Sequence, residues 1–174
     1  MGKTISTRAE GVSGGVGKDT MTTPIPRAIV TAFLDAFTSR DVERIAPYLD
    51  KDVIWTINGP VDLLHYCGVR QGSAAVLDLI GRQTPAMFHI RRFTPEFVLV
   101  DGDRAAVLSR MSAVRRSDNR NISYRTAQFL RFANEKLVEF LAVIDSFDAV
   151  EQVLGHPIDM QNPNTIVDDD VIAV

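Results

Sequence analysis

Apolar residues in the first third of the chain recur at helical spacing. Val30, Phe33, Leu34 and Phe37 stand at i, i+3, i+4 and i+7, one stripe that predicts an amphipathic helix over 24–38. Pro24 and Pro26 fall where a first helical turn would begin. Asp41 is placed to cap a short second helix whose Val42, Ile45, Ala46 and Leu49 face one way. Residues 52–57, Asp-Val-Ile-Trp-Thr-Ile, are β-branched and aromatic and predict a strand, ended by Asn58-Gly59-Pro60. A loop over 61–71 follows, carrying His65, Tyr66 and Cys67. Ser73 is then expected to cap a third helix with Val76, Leu77 and Ile80 inward, closing near Gly81 and Pro85.

Beyond that point the period drops to two. Residues 87–100 read as extended, with Pro95 marking a bulge or break. Asp101-Gly102 is a hairpin turn, 104–115 the next strand, Ser117 to Arg120 a turn and 121–132 the return. Asn134 and Glu135 turn again into a last strand at 137–144. Asp145 or Ser146 caps a final short helix that Gly155 stops. Helices gathered at one end of a strand meander mean an α+β domain: a curved antiparallel sheet covered by about three helices. Such a cone has an open end suited to a small molecule.

The chain has 174 residues, 45% of them apolar and 24% charged, enough for one domain with a core of its own. The pattern divides it into a flexible N-terminal tail (1–22), the domain (23–155) and an acidic C-terminal tail (156–174), either loose or an arm for a partner subunit. Gly14-Gly15-Val16-Gly17-Lys18 imitates a phosphate loop, but Asp19 stands where Ser or Thr is needed and no buried strand precedes it. A formal net charge of −3 gives no field to gather nucleic acid or anionic lipid. No apolar run approaches the ~20 residues of a membrane span. Cys67 is the single cysteine, so a reducing, cytoplasmic setting is the default. The three histidines lack metal-ligand spacing, and neither metal nor cofactor is expected.

Several segments carry a family likeness. Phe33-Leu34-Asp35-Ala36-Phe37 followed by Arg40-Asp41-Val42-Glu43, then Leu49 to Trp55, Tyr66 to Gly72, Phe129 to Phe132 and Lys136 to Asp145 stand in a shared order and spacing. Over roughly 24–155 this resembles the NTF2-like superfamily, and within it the SnoaL-like and ketosteroid-isomerase-like domains. The resemblance implies a cone-shaped fold, commonly a homodimer, with an apolar pocket. Its enzymes isomerise steroids, cyclise polyketides or open epoxides, while other members bind ligands or partners without catalysis, so the fold alone selects none of these.

Carried over residue by residue, the family's catalytic groups are missing here. The isomerase base falls on Ile57 or Asn58, its helix-one Tyr on Phe33 and its Asp on Gln128. The epoxide-hydrolase Arg-x-Asp becomes Arg110-Met111-Ser112, and the second Asp, like the cyclase carboxylate, falls on Ala142. Strand alternation with Arg110 inward brings Leu108 and Ser112 with it. It also groups Tyr124, Thr126, Gln128, Leu130 and Phe132, then Val138, Phe140, Ala142 and Ile144, then Trp55 and Ile57. The expected ligand-binding set is therefore Trp55, Tyr66, Ser112, Tyr124, Gln128 and Phe140. Arg110 is either an anchor for a ligand oxyanion or a structural ion-pair member. His65, spaced Asp-x-x-His from Asp62, is the candidate base, or a rim residue of no special role. A Cys67–His65 nucleophile pair is conceivable. Arg91, Arg92, Arg115, Arg116, Arg120 and Arg125 read as a solvated outer face rather than a nucleic-acid site. Two functions remain open: cofactor-free proton-transfer chemistry (isomerase, cyclase or lyase) on an apolar oxygenated ligand, or a non-catalytic binding or dimeric interaction module.

Overall fold

The computed structural model describes residues 23–158. The expectations for the phosphate-loop imitation, the N-terminal tail and most of the acidic tail lie outside them. Helix α1 (Arg27–Ser39) buries Val30, Phe33, Leu34, Ala36 and Phe37, the stripe its spacing predicts. Pro26 stands just before the helix in extended conformation, not inside its first turn. The chain leaves α1 through Arg40, which takes a left-handed φ of 60° with its N–H on the Phe37 carbonyl. Asp41 then caps α2 (Val42–Ile45), its carboxylate accepting from the N–H groups of Glu43 and Arg44. A 3-10 turn (Ala46–Tyr48) leads into β1 (Leu49–Asn58).

The next stretch departs from expectation twice. The loop over 61–71 ends in a strand, β2 (Gly68–Gln71), antiparallel to β1. Helix α3 (Ser73–Asp78) starts after Gly72 without a side-chain cap, and it does not stop at Gly81. It runs through a π turn (Leu79–Gln83) into α4 (Thr84–Met87). Pro85 stands directly after the π turn, at the start of α4. A Cβ on Gly81 would stand 2.7 Å from Val42 Cγ1, so a bare backbone lets this segment lie against α2.

The meander follows as β3 (Phe88–Asp101), β4 (Arg104–Arg115), β5 (Asn121–Ala133) and β6 (Lys136–Ile144). Its ladder slips at Pro95, as the missing N–H of proline requires. Helix α5 (Ser146–Leu154) is capped by Asp145, which accepts from the Asp148 N–H, and ends on Gly155 at φ 84°.

Strand order is β2-β1-β6-β5-β4-β3. Every pairing is antiparallel except β1 with β6, which runs parallel and joins the first strand to the last. Helix α1 packs against β3, α3 against β1 and α5 against β5, so one face of the sheet is roofed. The opposite face exposes Ile54, Phe97, Leu99, Phe129 and Val143. Among the described residues no helix is long and apolar enough to cross a membrane.

Two strand phases differ from the sequence reading. On β4 the inward residues are Ala105, Val107, Ser109, Met111 and Ala113, so Leu108, Arg110 and Ser112 face out. The cause lies in the register with β5. Met111 pairs Tyr124, Ser109 pairs Thr126 and Val107 pairs Gln128, and directly opposed residues share a face. Placing Arg110 inside would have turned Tyr124 and Gln128 out. On β6, Val138 is skipped between the Arg131–Glu139 and Phe132–Leu137 pairs. That bulge buries Leu137 instead, while Phe140, Ala142 and Ile144 keep the expected face.

Candidate functional site

The roofed face of the sheet and its helices enclose a cavity of about 80 Å³. Aromatic and aliphatic side chains make most of its wall. Trp55 and Phe140 are opposed in the β1–β6 register and stack with ring centres 3.5 Å apart and planes 3° from parallel. Phe37, from α1, tilts against both at 5.6 and 5.9 Å. Phe93, from β3, meets Phe37 edge-on at 5.2 Å. Burying one such ring is worth roughly 1.5–3 kcal/mol, so this cluster builds the wall and also anchors the core.

Polar groups are few and mostly donors. The hydroxyls of Tyr66, from the loop before β2, and Tyr124, on β5, meet at 2.8 Å. Desolvation, then the neighbouring Tyr124, holds the Tyr66 phenol far above its ordinary range. Desolvation also pushes Tyr124 up to about 12, although the Tyr66 hydrogen bond pulls the other way. Both are therefore protonated at neutral pH. One donates to the other, and the acceptor's own proton is left for a ligand. Gln128 is buried on the same strand, and its carbonyl oxygen accepts from the Ser109 hydroxyl at 3.4 Å. That leaves its amide hydrogens to donate.

Arg40 also lines the cavity. Its guanidinium carbon lies 4.2 Å from the Phe37 ring centre and 4.5 Å from that of Phe93. Desolvation lowers its pKa to about 10, partly opposed by Tyr124, so it remains a cation at pH 7. Nε of Arg40 and Nε1 of Trp55 are buried without a partner among the described residues. The sequence reading passed over Arg40 as a site residue. The signal was present: Arg40 continues the Val30–Phe33–Phe37 stripe three residues further, on a helix face expected to be buried.

The structure places Trp55, Tyr66, Tyr124, Gln128 and Phe140 together on the cavity wall. It takes three expected residues elsewhere. Arg110 is on the outer face, its Nε donating to Glu96 at 2.9 Å, and Arg125 reaches the same carboxylate at 3.0 Å. Ser112 shares that outer face. His65 is exposed on a second groove beside Leu63, Ser117 and Val153, and its ring contacts the Val61 carbonyl at 3.1 Å rather than Asp62. Cys67 is buried while His65 is exposed, so the two form no nucleophile pair, and desolvation pushes the thiol up to about 11. Of the basic strip, Arg115 and Arg120 pair Asp118, and Arg116 donates to the Pro85 carbonyl at 2.6 Å.

Among the described residues no Asp, Glu or His lines the cavity, and Ile57 and Ala142, where the resemblance looks for carboxylates, contribute only apolar surface. The cavity can hold an oxygen atom and polarise it. Among its described side chains none accepts a proton at neutral pH.

Residues 30–140 match the profile of the SnoaL-like domain. No curated protein matches the chain. Among solved structures, a Rhodopseudomonas palustris protein provisionally named an isomerase is 38% identical, with a TM-score of 0.64, over 74% of this chain and 94% of that one. An NTF2-like protein of unknown function from Burkholderia pseudomallei is 24% identical, with a TM-score of 0.64, over 73% and 95%. An LEH-like epoxide hydrolase from M. tuberculosis shares the fold at 13% identity, with a TM-score of 0.59, over 74% and 88%.

Proposed function

The chain belongs to the SnoaL-like domain family, and on that premise we propose that its cone binds a small, mostly apolar molecule by an oxygen atom. The observation that supports this is the Tyr66–Tyr124 hydroxyl pair, 2.8 Å apart in a mostly apolar cavity. A spare phenolic proton in such surroundings is a strong donor, because water does not compete for it. Gln128 adds an amide donor on the strand that carries Tyr124. At about 80 Å³ the space is smaller than the ~150 Å³ cavity that takes benzene, so a compact head group fits and the body extends to the open end. Trp55 is the single tryptophan of the chain and lines the cavity, so its fluorescence reports occupancy directly. Titration with small cyclic ketones and acids is expected to give a saturable change together with a thermal shift. Neither response from any member of the panel would count against a ligand-binding cone.

A second reading, turnover of an enolisable ketone, is favoured by the provisional name of the R. palustris protein. The cavity supplies the oxygen-stabilising half of that chemistry, and the proton acceptor would have to come from water or the substrate itself. Loss of α-hydrogen to D₂O, followed by NMR, tests it. Exchange faster than buffer and slowed at least tenfold by Tyr124→Phe supports turnover, whereas exchange at the buffer rate leaves binding as the function.

The family habit of pairing extends the proposal to a homodimer built on the uncovered sheet face. Phe97, Leu99 and Phe129 stand about half exposed there, and Leu99 and Phe129 flank Ala106 across β3, β4 and β5.

A further inference from the structure

Resting on the ligand-binding reading above, we infer that the ligand of the cone is an anion: a small aromatic or alicyclic carboxylate whose charge is met by Arg40. Among the described residues, Arg40 brings to the cavity wall a partly buried cation, its Nε fully buried, with no counter-charge. Among the described residues Arg40 makes no side-chain hydrogen bond and no ion pair, its Nε is buried and unpartnered, and its guanidinium lies over two phenyl faces near the neutral Tyr124 phenol. Buried charges in folded proteins are paired or hydrogen-bonded, since an isolated one is costly. No carboxylate of the described residues lines the cavity to serve that purpose.

The second unpartnered atom points to the same chemistry. Trp55 Nε1 can only donate, as can every nitrogen of Arg40. With the spare tyrosine proton and the Gln128 amide, these donors face only the uncharged hydroxyl oxygens of Thr84, Thr126 and the tyrosines as described acceptors on the wall. What balances them is a group of several acceptor atoms and no donor, and a carboxylate is the compact group of that kind. The approach is consistent. A neighbouring groove shares Arg40, Thr84, Phe88 and Ile90 with the cavity and adds Arg116 and His89, again with no acid. An anion entering there meets only neutral or positive side chains. The Phe37, Phe93 and Phe140 rings favour a flat or alicyclic body behind the charge.

The test titrates the whole chain with aryl and alicyclic carboxylates, benzoate and cyclohexanecarboxylate among them, each beside its primary amide. Trp55 fluorescence and ligand-observed NMR are the readouts. Carboxylates are expected to bind at least tenfold tighter than the matching amides, and Arg40→Met is expected to abolish that preference. Amides binding as well as carboxylates would overturn the anion inference and leave the ligand-binding reading intact. No binding by either series, nor by the ketones above, would remove both. Should Arg40→Met fail to fold, the carboxylate–amide ratio in the unaltered protein decides alone. A preference that survives Arg40→Met in a folded variant would also overturn the assignment.

Discussion

The hydroxyls of Tyr66 and Tyr124 meet at 2.8 Å across 58 positions of sequence, tying the loop before β2 to the middle of β5. Each hydroxyl is the other's only described hydrogen-bond partner, and both side chains are buried. Removing one leaves its mate unsatisfied, which costs about 1–3 kcal/mol. Tyr124→Phe is therefore expected to destabilise the protein by about that much in urea unfolding. The double variant Tyr66→Phe with Tyr124→Phe is expected to lose clearly less than the sum of the singles. Additive losses would mean that the pair does not act as a unit.

Arg40 carries a prediction of opposite sign. Its pKa in the folded chain lies below its ordinary value, so the folded state holds the charge at a cost that is fully present below about pH 10. The cost is relieved as pH rises from about 10 towards the ordinary value of 12.5, where the folded chain releases its proton first. Arg40→Met is thus expected to melt at or above the unaltered protein at pH 7, with the gap narrowing above about pH 10. Thermal melts across that range check it. A variant that melts well below the unaltered protein at pH 7 would show that the guanidinium is already compensated inside the fold.

Anion binding by Arg40 is expected to follow the same proton. Affinity for benzoate should be flat from about pH 6 to 9 and weaken above about 10, as the free protein loses the charge. Trp55 fluorescence titrations at stepped pH measure it, and a flat profile through pH 11 would mean that the guanidinium keeps its proton throughout that range.

Arg110 serves as the contrast. It shares Glu96 with Arg125 on the outer face, and it is half exposed. Exposed pairs contribute little. Arg110→Gln is expected to leave ligand affinity within twofold and to shift stability by no more than about 0.5 kcal/mol.

The uncovered sheet face makes the last prediction. Light scattering at micromolar concentration is expected to give twice the chain mass, and Phe129→Arg to return the mass of one chain with an unchanged circular dichroism spectrum. A single-chain mass for the unaltered protein contradicts the homodimer.

Much of this fold was legible in the chain because local chemistry states it. The α1 stripe, the Asp41 and Asp145 caps and the turns at Gly102 and Asn134 each follow from residues within a few positions of one another. The inward set on β5 was legible too, since Tyr124, Gln128 and Phe132 alternate with Arg125 and Arg131. The misread features depend on partners far away. On β4 the two faces are nearly equal in apolarity, Ala105 and Val107 against Ala106 and Leu108, so only the register with β5 chooses between them. Val138 lost its place to a bulge that no residue type announces. Arg40 was missed because arginine normally marks a solvated helix end, and here a left-handed turn carries it back over Phe37.

The parallel β1–β6 seam has a kinetic corollary. Trp55 and Phe140 are stacking partners supplied by strands at opposite ends of the domain, so half of the aromatic wall waits for the other until nearly the whole domain has left the ribosome. Hairpins β3–β4 and β4–β5 can zip during synthesis, but the hollow closes only when the final strand docks beside the first. Such distant closure is slow relative to hairpin formation. A nascent chain stopped before residue 136 would carry an unfinished sheet with β1 and β5 both lacking their shared neighbour, the species most exposed to mispairing and to capture by chaperones.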